Sequence, residues 1–175
     1  MKNTKKITLC GVMAALAVVI MLTAYFPYLT YAIPAIAGIF VMIPAIECGK
    51  KWGYMTYLVA AAISLVACEM EAKLLFVVFL GFYPILKMTI DKIKSRPINL
   101  LIKLAAFNLS LGVFYLLVMF VVDLNPADYS LGFKYSEIVL ALAANIVFVI
   151  YDAGLTQLVT AYYMRYHETV RKMLK

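Results

Sequence analysis

Six apolar runs divide this chain: Ile7–Tyr25, Ile33–Cys48, Trp52–Val66, Leu74–Ile90, Ile98–Val122 and Ile138–Met164. Short polar or basic stretches separate them. A helix needs about 20 apolar residues to cross the hydrocarbon core of a bilayer. Inside lipid every backbone polar group must find its partner within the segment, so helices are the expected form of each run. The pattern predicts an all-α membrane protein, a bundle of six transmembrane helices arranged as three hairpins. Links at Phe26–Ala32, Ala67–Lys73 and Asp123–Glu137 close the hairpins on one side, and Asn125-Pro126 marks a turn in the third. The second run is barely long enough to cross, with Pro34 at its start and Pro44 near its inner end. Pro44 frees a carbonyl and bends a helix. Two readings follow, a mobile span and a static kink packed against its neighbours.

Charge orients the bundle. Basic residues fall at Lys2, Lys5 and Lys6, then Lys50 and Lys51, then Lys87, Lys92, Lys94, Arg96 and Lys103, then Arg165, Arg171, Lys172 and Lys175. Only Lys73 and Lys134 fall on the other side. Cytoplasmic segments retain positive charge, so both termini are expected in the cytoplasm of a bacterial cell, with the bundle in its inner (plasma) membrane. Hydrophobic residues make up 66% of the chain and mean hydropathy is +0.95. Six helices and their links use nearly all 175 residues, so residues 1–175 read as a single integral membrane domain. The net charge of +7 reads as topology determinants near anionic headgroups and not as a nucleic-acid surface. The first run is expected to remain as a signal anchor.

Candidate chemistry is sparse. Gly49-Lys50-Lys51-Trp52-Gly53 lacks the spacing and the hydroxyl of a phosphate-binding loop, and hydrolase motifs are missing. No enzyme activity, cofactor or metal is expected. Cys10, Cys48 and Cys68 have no metal-ligand spacing and read as small apolar filler. The single histidine, His167, beside Glu168, reads as a solvated tail residue.

The polar residues inside the runs are therefore informative. At the helical rise, Lys87 lies about 20 Å and Asp152 about 21 Å from the far end of their spans, so the two are expected to meet as a buried ion pair. That pair reads either as a register lock or as a switch. Lys87 could also pair with Asp91 one turn on, or snorkel to the interface. Asn108 and Asn145 need partners in lipid, and Asn145, nearer the outer surface, is the better ligand candidate of the two. Tyr25, Tyr28, Tyr31, Tyr115, Tyr129 and Tyr135 crowd the outer third, next to Glu69, Glu71 and Lys73. They read either as an interfacial belt or as a pocket for a small planar polar solute. Gly11 and Ala15 share a helix face, a spacing that lets another helix approach closely.

Taken together, the length, the six runs, the termini and the basic start before Gly11-Val12-Met13-Ala14-Ala15-Leu16-Ala17 resemble a substrate-binding S component of an energy-coupling-factor (ECF) vitamin transporter. The run from Leu74 to Lys87 is similar to poorly characterised members of that group. The resemblance implies uptake of a scarce vitamin-like micronutrient, driven by two ATPase subunits acting through a transmembrane coupling subunit. It implies that Gly11, Ala14 and Ala15 dock that coupling subunit, although glycine replaces the usual leading alanine. It also implies a ligand pocket in the outer halves of the last three spans. Tyr28, Tyr31, Glu69, Glu71, Tyr83, Asn108, Tyr115 and Asn145 are the candidate ligand residues, with Lys87 and Asp152 as the floor. The chain lacks the Met-His start of nickel and cobalt members, since Lys2 stands there. Two other classes stay open. One is a structural membrane scaffold resembling small rod-shape morphogenesis proteins. The other is a small ion-coupled transporter, against which the missing inverted repeat argues.

Overall fold

The computed structural model describes residues 3–26, 29–121 and 136–174. All regular structure among them is helical. The order is α1 (Asn3–Leu22), a 3-10 turn (Thr23–Tyr25), α2 (Ala32–Glu47), α3 (Lys50–Ala67), α4 (Met70–Leu75), a π-helical turn (Phe76–Leu80), α5 (Tyr83–Ile90), α6 (Arg96–Val121), α7 (Ser136–Arg165) and α8 (His167–Leu174). Among the described residues, four stretches are long and apolar enough to cross a membrane: Asn3–Tyr25, Met70–Ile90, Arg96–Phe120 and Ile138–Arg165. The helix Ala32–Glu47 is apolar but shorter. α3 carries Lys50 and Lys51 in its first turn, which lowers its apolar character.

Local chemistry explains the boundaries. Gly49, at φ 101°, makes the turn between α2 and α3, a conformation that glycine adopts without steric cost. The link expected over Ala67–Lys73 is mostly helix. Glu69 caps α4 and its carboxylate accepts hydrogen bonds from the backbone N–H of Glu71 (3.0 Å) and Ala72 (2.7 Å). The fourth run is not one regular helix. Its ladder widens at Phe76–Leu80, where the Gly81 N–H donates to the Phe76 carbonyl at 2.8 Å. The Tyr57 hydroxyl donates to the Val77 carbonyl of that turn at 2.6 Å. Pro84 then opens α5 in the first turn, where no N–H is needed.

Helices α1, α2 and α3 pack through small side chains. Ala14, Ala17, Ala37, Ala45 and Ala60 are almost completely buried, with Met21, Val41 and Phe76 filling the space between them. Gly38 lets α2 touch the π-helical turn, because a Cβ there would run into the Leu80 carbonyl oxygen. A second core joins Phe79, Tyr83, Phe148 and Leu155. Most of the surface of α6 and α7 stays exposed, and that surface is apolar: Leu109 is 73% exposed and Ile150 66%. Exposed apolar helix faces of this kind are expected against lipid, where only backbone satisfaction and not side-chain burial is required.

Candidate functional site

The charged residues of α5, α6 and α7 converge on one buried point. The Lys87 ammonium lies 2.6 Å from Asp152 Oδ1 and 3.3 Å from Asp91 Oδ2. The Lys103 ammonium lies 2.6 Å from Asp91 Oδ1 and 2.9 Å from Asp152 Oδ2. The Tyr83 hydroxyl donates to Asp152 Oδ1 at 2.6 Å. Two ammonium groups and two carboxylates therefore share one site, and its formal charge is zero. Both lysine side chains are nearly inaccessible, at 4% and 6% exposure, whereas Asp91 keeps 41%. Burying either lysine alone would cost several kcal/mol, roughly, and only mutual pairing offsets that cost. Asn99 steadies the more open carboxylate by donating to Asp91 Oδ1 at 3.4 Å and to the Ile90 carbonyl at 2.9 Å.

A cavity of about 520 Å³ lies beside this cluster, between α2, the α4 and π-helical stretch, α6 and α7. Phe79, Phe107, Phe114 and Phe148 supply much of its wall, and Tyr31, Ser110 and Tyr151 are the hydroxyl-bearing residues in it. Phe107 and Phe148 stack face to face across α6 and α7, with centroids 4.5 Å apart and planes within 6°. Phe79 and Phe148 both pack on Tyr83, at 4.6 and 5.2 Å between centroids. The cavity wall is thus in direct contact with the residue that bonds Asp152. Tyr31, at one end of the cavity, donates to Glu71 Oε2 at 2.9 Å. The Tyr151 hydroxyl is buried with no hydrogen-bond partner among the described residues.

The residues singled out from sequence distribute unevenly around this site. Lys87 and Asp152 are in contact, and Lys87 also reaches Asp91, so the two pairings envisaged for it coexist. Tyr31 lines the cavity and Glu71 is bonded to it. Tyr83 stands behind the wall, fully buried, with its hydroxyl committed to Asp152. Glu69 is taken up in capping α4. Asn108 and Asn145 do not face the cavity. Their amides bond each other, at 2.8 and 3.1 Å, and each also donates to a carbonyl of its own helix. Tyr115 is exposed and outside the lining. Tyr28, Tyr129 and Tyr135 lie outside the described residues, as do Lys2 and Lys134. The face expected to receive a partner helix divides. Gly11 and Ala15 point outward, whereas Ala14 is 2% exposed and packs in the core with α2 and α3. Gly11 also borders a second hollow of about 260 Å³, with Ile7, Cys10, Trp52, Met55 and Val59.

His167 is not a free tail residue. Its Nδ1 lies 2.8 Å from Glu47 Oε1, and the Tyr162 hydroxyl donates to the same oxygen at 2.7 Å. The Glu47 side chain is 2% exposed, so the start of α8 and the end of α7 close over the end of α2. Sequence reasoning named Asp91 as a partner of Lys87 but passed over Glu47 and the inward role of Lys103. Both carried a signal. Lys103 is a charge well inside the fifth apolar run, and Glu47 is the one acid in the second. Counting Lys103 with the basic flanks concealed its role.

The described residues hold no cluster of three or more His, Cys, Asp or Glu suited to a metal ion. The fold defines a class at a coarse level: an all-helical protein whose several long apolar helices are those of a membrane protein. No family, no curated protein and no solved structure matches the chain.

Proposed function

We propose that this chain is the solute-binding membrane subunit of an ECF-type uptake system for a small vitamin-like micronutrient. In this reading it lies in the plasma membrane of a bacterium as six spans with both ends cytoplasmic. It performs no catalysis, and two partner ATPases energise it through a transmembrane coupling subunit. The observation that carries the reading is the cavity of about 520 Å³ between α2, the α4 and π-helical stretch, α6 and α7. Pockets for small ligands commonly span roughly 300–1,000 Å³, are mostly apolar and sit between helices of bundles. A scaffold needs no such space. The charge cluster supports the same reading, because it clamps α5, α6 and α7 together next to the cavity wall. The outward face of Gly11 and Ala15 is the natural approach for the coupling subunit.

Native mass spectrometry of gently purified protein tests the proposal. A retained small molecule, together with a co-purified coupling subunit and ATPase pair, is the expected result. Folded protein that retains neither in repeated preparations overturns it. Cysteine labelling from outside intact cells tests the orientation: a cysteine at Glu69 should react and one at Lys51 should not.

A further inference from the structure

We infer that the cavity takes an uncharged, largely apolar guest built around a flat ring, and that it rejects anionic solutes; this rests on the reading of the cavity as a solute site. Among the described residues, the wall contains no Asp, Glu, Lys, Arg or His side chain. The charges nearest to it are the Glu71 carboxylate, which accepts from the Tyr31 hydroxyl, and Asp152, which is held by Tyr83, Lys87 and Lys103. An anionic guest would therefore lose its hydration without gaining a counter-ion, at a cost of several kcal/mol, roughly. Ring geometry points the same way. Phe107 and Phe148 are already stacked with parallel planes, and Phe79 meets both of them edge to face, at 5.4 and 5.6 Å. A further flat ring extends that arrangement by offset or edge contacts. A flexible acyl chain gains less from such walls. Ser110 on α6 and Tyr151 on α7 are the hydroxyl-bearing residues of the wall that can meet one or two polar substituents on the guest.

The test uses the full chain in lipid nanodiscs and two probes that share one ring system, a neutral fluoronaphthol and an anionic fluoronaphthoate, read by fluorine NMR at neutral pH. Two variants fill the cavity from opposite walls, Ala35→Phe on α2 and Ala144→Phe on α7. Circular dichroism and gel filtration select the variants that keep the wild-type fold. The expected result is saturable binding of the naphthol, at least about tenfold tighter than the naphthoate, and lost in each folded filling variant. Equal or tighter binding of the naphthoate, abolished by the same variants, overturns the uncharged-guest inference while the cavity remains a solute site. Naphthol binding that survives both variants overturns the inference and the site together. Absence of saturable naphthol binding, or a retained phospholipid that the naphthol does not displace, also overturns the inference, and the lipid result makes the cleft a lipid site.

Discussion

Lys103 on α6 and Asp152 on α7 stand 2.9 Å apart; Asp152 is also bonded to Lys87 on α5, and Lys103 to Asp91, the residue that follows α5. Three helices thus meet through four alternating charges. Removing one member strands another charge of the opposite sign in a place that water hardly reaches. Asp152→Asn leaves two ammonium groups facing one carboxylate and is expected to destabilise the fold by about 3–5 kcal/mol. The charge-balanced pair Asp152→Leu with Lys103→Met should be less destabilised than Asp152→Asn alone. Thermal unfolding in detergent, followed for the single and double variants side by side, measures the difference.

Tyr83 donates to the same carboxylate from within the aromatic core. Tyr83→Phe keeps the ring contacts and removes only the hydroxyl. A hydrogen bond to a charged group is worth about 1.5–3 kcal/mol, so the loss should be smaller than for Asp152→Asn. No loss in Tyr83→Phe would show that the ring and not the hydroxyl connects the cavity wall to the charges.

Gly38 is a packing requirement. Its Cβ position is occupied by the Leu80 carbonyl, which belongs to the π-helical turn and cannot rotate away like a side chain. Gly38→Ala is expected to cost about 1–3 kcal/mol, in the range of an overpacked core. Gly11→Ala, where nothing stands within 4 Å, should leave the stability of the isolated chain unchanged. Denaturation of both variants in one detergent checks the contrast.

Glu47 is buried and shared by Tyr162 and His167. His167→Ala should loosen α8 without unfolding the rest. Limited trypsin digestion at Arg171 and Lys172 then becomes faster, whereas cleavage elsewhere keeps its rate. An unchanged pattern would mean that the Tyr162 hydroxyl alone holds the end of α7 on α2.

Cys68 sits at the turn before α4, 4% exposed, and burial pushes its thiol above the ordinary range. Less thiolate is present at neutral pH as a result. Maleimide should therefore modify Cys68 slowly at pH 7, faster as pH rises towards the alkaline range, and at once in denaturant. Rapid labelling of the folded protein at neutral pH would place Cys68 at an open surface.

Helix positions were legible because each rests on neighbours in sequence. The six apolar runs fall on described helical stretches, although α3 starts at Lys50, two residues before the run expected from Trp52. The approach of Lys87 to Asp152 was also legible, since depth in a span depends only on rise per residue. The interior of the fourth run was not. Hydropathy cannot distinguish a regular helix from one widened by a π turn, and Tyr57 on α3 supplies the bond that satisfies Val77 there.

Sequence alone determined the helical class and the number and order of apolar segments. Those are sums over single residues or short windows. Tertiary structure decided which helix faces meet. It closed Asn108 on Asn145, turned Ala14 inward and left Gly11 outward, brought Asp91 and Lys103 to the Lys87–Asp152 pair, and drew His167 to Glu47. The physical reason is that helices for lipid are apolar all round. No amphipathic stripe marks the buried face, so the rotation of each helix is set only by steric fit and by the pairing of its few polar groups.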